Sequence, residues 1–231
     1  MIEKYLQNLN ISPSDIQPSL KFLARLQNNH LQRIPFSNLE YFRFGSKWID
    51  FNNAFSLIDP VLKGRGGICF HLNYAFYCLL NSIGFHCDLI GCLIEESDID
   101  HMAIVVHLDD QLYYVDVGYG FYFIYQPLPI MDGIYKDRSG IYKVEKAEDH
   151  FVIRKQYKRK WIHKLSINLI PRDIRDFRQT YWKHINNGGY LSKRTIFSIY
   201  TLNGFIIFSD NSLTIYEGQD CFKYKLPLWR G

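Results

Sequence analysis

The stretch Arg65-Gly66-Gly67-Ile68-Cys69-Phe70 opens an amphipathic run, and its reading decides how the rest of the chain is placed. Two adjacent glycines allow a tight turn and let another group approach the backbone closely. Behind them Phe70, Leu72, Phe76, Leu79, Leu80 and Ile83 recur at helical spacing, and Gly84 closes the run as a C-cap. The pattern predicts a helix with Cys69 at its start, where unpaired N–H groups and the helix dipole favour a thiolate. A buried cysteine acting as a small hydrophobe is the other reading of this position.

Working outward, the segment before Cys69 reads as largely helical. Residues 2–9 form a short amphipathic piece, Ser12-Pro13-Ser14-Asp15 breaks it, and Gln17 or Ser19 starts a second helix through Leu23, Leu26 and Leu31. The turn Ile34-Pro35-Phe36 and a loop-rich stretch then lead to Gly64. From Cys87 the apolar period becomes two. Residues 89–94, 101–108, 112–117, 142–144, 151–157 and 160–169 read as strands. Residues 171–184 read as a helix ending at the turn signal Asn186-Asn187-Gly188-Gly189. Strands at 195–202, 205–209 and 213–216 follow, with Asn203-Gly204 as a tight turn. Helices, then sheet, then a connecting helix and a small β cap make an α+β arrangement.

Composition bounds the function. A chain of 231 residues, 47% hydrophobic and 22% charged, has the make-up of a folded domain and not of a disordered one. Aromatic residues at 16% suit either a flat aromatic pocket or an aromatic core. The net charge of +4 is spread along the chain, which argues against a nucleic-acid surface. Lys155, Lys158, Arg159 and Lys160 form one local basic cluster, read as a solvated strand face or a phosphate contact. Met1-Ile2-Glu3-Lys4 leads into a polar amphipathic segment unlike a secretory signal. The apolar stretch 117–131 is broken by glycines and prolines, so no membrane span is expected. Cys69, Cys78, Cys87, Cys92 and Cys221 then read as reduced thiols of a cytoplasmic protein. Cys87 and Cys92 beside His86 match no common zinc spacing, so no metal is expected.

A cysteine nucleophile needs a base, and the base needs a group to orient it. His101 to Leu108 and Leu112 to Val117 flank Asp109-Asp110-Gln111. A two-residue turn at Asp109-Asp110 puts Leu108 opposite Gln111 and sets His101 diagonal to Asp116 on one face. A turn at Leu108-Asp109 puts the two directly opposite, whereas a three-residue loop separates them. Either two-residue register lets the hairpin present an oriented imidazole to Cys69. His107, on the same face, is the alternative base, and strand-end structural roles are the alternative for His101 and Asp116.

These residues resemble the arylamine N-acetyltransferase family. The similarity runs from Tyr5-Leu6 through Arg33-Ile34-Pro35-Phe36-Ser37-Asn38-Leu39 and Arg65-Gly66-Gly67-Ile68-Cys69-Phe70-His71-Leu72-Asn73. It continues at His101-Met102 and Tyr114-Val115-Asp116-Val117-Gly118-Tyr119-Gly120, with weaker echoes at Trp161, Leu165, Asp176-Phe177 and Thr201-Leu202-Asn203-Gly204. Several motifs in one order are far more specific than any single one. The resemblance implies a helical bundle over 1–85 carrying the nucleophile, a β-barrel over 86–170 carrying His and Asp, and a connecting helix with a short β-rich lid over 171–231. It implies a cysteine-protease-like triad of Cys69 as nucleophile, His101 as base and Asp116 as orienting carboxylate. The implied reaction is ping-pong: an acetyl group passes from acetyl-coenzyme A to Cys69 and then to an aromatic amine or hydrazine. Ser97, Gly118 and Gly120 match positions at the acyl donor, and Phe36 and Tyr119 match positions lining the amine pocket. An amide synthase or cysteine hydrolase would use the same triad, and a non-catalytic aromatic-ligand-binding relative would keep only the pocket.

Three departures from the family pattern stand out. Ser37 replaces a glutamate that pairs with the arginine of the Arg-Gly-Gly motif, so Arg65 is expected to take Glu40 or a backbone carbonyl. His71 stands where the family carries Glu or Gln. The chain stops at Leu228-Trp229-Arg230-Gly231, short of a further helix that shapes the cofactor cleft in some members.

Overall fold

Capping residues set the helix starts in the first third of the chain. The Ser19 hydroxyl accepts from Phe22 N–H at 3.3 Å, so α2 (Leu20–Arg33) begins there and not at Gln17, after α1 (Ile2–Asn8) and a 3-10 turn at Pro13–Asp15. The computed structural model describes residues 1–95, 97, 99–185, 189–218 and 220–227. After β1 (Phe36–Ser37), the stretch expected as loop folds into α3 (Leu39–Phe44) and α4 (Ala54–Leu62). Asn53 caps α4 by accepting from Phe55 N–H at 3.2 Å, and Pro60, a breaker by sequence, is buried inside it. Next comes α5 (Cys69–Ser82), closed by Gly84 at φ +96° with Phe85 N–H reaching back to Leu80 O at 3.0 Å.

Eight antiparallel strands follow: β2 (His86–Leu93), β3 (His101–Leu108), β4 (Gln111–Val115), β5 (Leu128–Pro129), β6 (Gly133–Asp137), β7 (Gly140–Lys146), β8 (Phe151–Tyr157) and β9 (Lys160–Pro171). Their order, β5-β4-β3-β2-β9-β8-β7-β6, wraps into a nearly closed barrel. The expected helix at 171–184 is corrected: Pro171 ends β9 opposite Ile90, a 3-10 turn spans Ile174–Phe177, and α6 (Arg178–Ile185) starts only then. After α7 (Tyr190–Lys193), the strands β10 (Ile196–Tyr200), β11 (Gly204–Ser209), β12 (Ser212–Glu217) and β13 (Asp220–Lys225) pair antiparallel. Strand β1 completes this sheet in the order β1-β10-β11-β12-β13. Four strands were not expected: β13, exposed at every position, β6, neither of whose faces is buried, and the two-residue β1 and β5. The turn signal at 186–188, the end at 228–231 and Asp98 lie outside the described residues.

Strand β3 explains how the parts share a core. Met102, Ile104 and Val106 face the helices and join Leu23, Phe70, Phe76 and Leu80 in one cluster. Ala103 and Val105 face the barrel interior with Tyr114, Phe123, Tyr142 and Leu165. A strand covered on both faces reads as a continuous apolar run, as His101–Leu108 does. Among the described residues no helix is long and apolar enough to cross a membrane.

Candidate active site

Cys69 is the first residue of α5 and is held there by its two preceding glycines. Gly66 has φ +76°, and a side chain on it would strike the Pro35 carbonyl at 1.9 Å. A Cβ on Gly67 would fall 2.5 Å from His71. Both glycines therefore answer to the protein's own packing. The His71 Nδ1 accepts from Ile68 N–H at 3.3 Å, filling the reach-back role that Glu or Gln plays at the third helical position. Arg65 takes Glu40 at 2.7 Å, as expected, and also Asp59 at 3.2 Å, while the Ser37 hydroxyl accepts from Leu39 N–H at 3.3 Å.

The β3–β4 hairpin brings in the second and third groups. Its turn is the two-residue one at Asp109-Asp110, both at positive φ (50° and 58°), with Leu108 opposite Gln111. In this register His101 Nε2 lies 2.7 Å from Asp116 Oδ2, with side chains only 5% and 0% exposed. Gly118, two residues on, lets that turn lie against Cys69, since a Cβ there would sit 2.8 Å from its Cα. Cys69 is close enough to His101 to act on the charge of its ring. His107 goes elsewhere: it bonds Asp88 at 2.8 Å and stacks on His86 near the turn.

Sequence reasoning missed two residues that hold Asp116. Asn73, four residues after Cys69 on the same face of α5, donates to Asp116 Oδ1 at 2.9 Å and Met102 O at 2.6 Å, and accepts from Val117 N–H at 2.8 Å. Tyr114 donates to Asp116 Oδ2 at 2.7 Å, and Gly118 N–H to Oδ1 at 2.8 Å. Helical spacing from Cys69 and strand spacing from Asp116 were the signals that could have found Asn73 and Tyr114.

Four donors on one buried carboxylate set the charges. Burial pushes the Asp116 carboxyl up, but the His101 charge and the bonds from His101, Asn73 and Tyr114 bring it below the usual carboxylate range. Burial likewise pulls the His101 imidazolium down. The Asp116 charge and hydrogen bond, helped by Cys69, reverse this and lift it to about 10. An imidazole held by a carboxylate beside a cysteine is an arrangement that can activate a thiol for attack.

The C-terminal sheet fixes the loop behind Asp116. Ser198 donates to Gly120 O at 2.7 Å, Tyr200 donates to Phe121 O at 2.9 Å, and the same hydroxyl accepts from Phe123 N–H at 2.9 Å. Gly120, at φ +79°, leaves room for the Phe36 ring, which a Cβ would approach to 2.8 Å. Tyr119 stands edge-on to His101, with ring centroids 5.6 Å apart. Ser97, just before His101, donates to Asp100 Oδ1 at 3.0 Å. The same carboxylate accepts from Glu95 and Ser97 N–H at 2.8 and 3.0 Å.

A helical layer, a near-closed barrel and a buried Cys–His–Asp cluster between them define a class: enzymes whose thiol attacks an acyl group. Residues 19–226 match the sequence profile of the N-acetyltransferase family, and the chain belongs to that family. It is similar to proansamycin X synthase of Amycolatopsis mediterranei, 27% identical over 186 residues covering 77% of this chain and 71% of that protein. It is similar to the pineal gland arylamine N-acetyltransferase isozyme NAT-3 of Gallus gallus, 26% identical over 205 residues, covering 77% and 69%. In fold it resembles the solved arylamine N-acetyltransferase of Salmonella typhimurium, with a TM-score of 0.90 at 20% identity, covering 98% of this chain and 85% of that one. The chain is thus an acetyltransferase that works through a cysteine-based triad.

Proposed function

We propose that this enzyme moves an acetyl group from acetyl-coenzyme A to an aromatic amine or hydrazine in the cytoplasm, with Cys69 as nucleophile, His101 as base and Asp116 as orienting carboxylate. The observation that carries the assignment is the 2.7 Å His101–Asp116 bond presented to the cysteine at the start of α5. In the first half-reaction the Cys69 thiolate forms a bond to the thioester carbonyl carbon, and coenzyme A leaves with the proton that His101 held. The N–H groups of Cys69 and Phe70 have no intrahelical partner and can receive the tetrahedral oxyanion. In the second, the amine nitrogen attacks the Cys69 thioester, His101 takes the amine proton, and the Cys69 sulfur departs as thiolate.

Phe36 and Tyr119 are assigned to the amine side, and Ser97, Gly118 and Gly120 to the acyl-donor side. Double-reciprocal plots at several amine concentrations should be parallel, and Cys69→Ala should abolish turnover. A Cys69→Ala protein that still acetylated amines would overturn the mechanism. Steady release of acetate with no amine present would mark a hydrolase instead.

A further inference from the structure

Against β8, strand β9 carries one extra residue. Ile153 faces Leu165 and Arg154 faces His163, so Lys164 is the extra residue of a β-bulge. Bulges re-aim side chains and gather beside active sites. This one turns Lys164 to the same side as Leu165, which lines the barrel interior. Its ammonium lies 5.0 Å from the centre of the Tyr119 ring and 6.0 Å from that of Phe123. Tyr119 is the ring that stands edge-on to His101, so one aromatic residue separates the imidazole from this cation.

Among the described residues no carboxylate pairs with Lys164, and burial alone pulls its ammonium below the usual lysine range. Lys155, nearby, is already engaged. Its Nζ donates to Tyr122 O at 3.1 Å and lies over the Tyr122 and Tyr142 rings. A half-buried cation without a counter-ion, held over an aromatic face, is a seat for an anionic group of a ligand.

We infer that Lys164 is a specificity residue that receives a carboxylate carried on the ring of the acceptor amine. This rests on the reaction proposed above. Tyr119 borders both His101 and Lys164, so an amine seated at the imidazole and lying along that ring would carry its far substituent to the ammonium. Phosphates of the acyl donor are the other source of such an anion, and kinetics separates the two.

The test compares aniline with para-aminobenzoate, with acetyl-coenzyme A as donor, in the unmodified enzyme, Lys164→Gln and Lys164→Arg. Lys164→Gln should lower the ratio of kcat/KM for aminobenzoate to that for aniline by about tenfold or more, and Lys164→Arg should restore most of it. An unchanged ratio overturns the inference. So does a raised KM for acetyl-coenzyme A with the ratio intact, which would place donor phosphate at Lys164. An unmodified enzyme that acetylates neither amine contradicts the proposed reaction itself, and the inference falls with it.

Discussion

Among the described residues three histidines are buried, and they end in opposite states. His30 and His71 lie in the helical region, where burial holds both at about 3. His30 takes the Tyr5 hydroxyl on Nδ1 at 2.9 Å, and His71 takes Ile68 N–H. Among the described residues neither has a partner on Nε2. His101, at the edge of the barrel, is equally buried but is raised to about 10. The difference is one carboxylate. Desolvation is common to all three, and among these described residues the one that is raised is the one with Asp116 2.7 Å away.

The largest way to break that contrast is Asp116→Asn. His101 should then titrate far lower, towards His30 and His71, as read by NMR of labelled histidine. Acetyl transfer should fall by roughly a thousand- to ten-thousand-fold, the scale of losing the orienting carboxylate in a triad. An Asp116→Asn enzyme within tenfold of the unmodified rate would show that the carboxylate is not needed.

Acid unfolding sharpens the other side. His30 and His71 have folded pKa values of about 3 against a usual 6.5, so protonation favours the unfolded chain. Their contribution is intact above about pH 6.5 and is lost as pH falls towards 3, at about 1.4 kcal/mol per pH unit for each. Asp116, lowered, adds to the loss only below its usual value of 3.8. His101, raised, has the reverse sign: its stabilisation is whole below about 6.5 and is lost as pH climbs through about 10. Denaturant titrations between pH 4 and 6 should give a steep slope, and His30→Gln should remove about half of it.

Tyr114→Phe is the smallest change. It takes one of four donors from Asp116 and leaves His101 in place. Activity should fall by about three- to tenfold, with stability lower by about 1 kcal/mol. The limb of the pH–rate profile that reports His101 should move, which loosened packing alone would not do.

The parts legible in the sequence are those that local chemistry dictates. Helical spacing after Gly67 placed Cys69 at the start of α5, and Asp109-Asp110 allowed the hairpin register that pairs His101 with Asp116. Helices α3 and α4 were hidden because α3 buries no residue fully and α4 contains Pro60. Asn73 and Tyr114 were hidden because their roles depend on Asp116, which is 43 residues from Asn73 along the chain. Lys164 was hidden because a bulge is a property of two strands in register. The basic cluster just before it, Lys155 to Lys160, reads from sequence as a solvated strand face or a phosphate contact. The structure divides that cluster: Lys155 is turned onto buried rings, while Lys158 and Arg159 lie at the exposed hairpin tip.

All of these contrasts serve one claim, that Cys69 is the atom on which the acyl group rests between donor and acceptor. Intact mass spectrometry after mixing the protein with acetyl-coenzyme A alone tests it directly. The account predicts a gain of one acetyl group that is absent in Cys69→Ala and is discharged on adding an aromatic amine. An acetyl group that persists in Cys69→Ala, or a protein that never gains one, would contradict it.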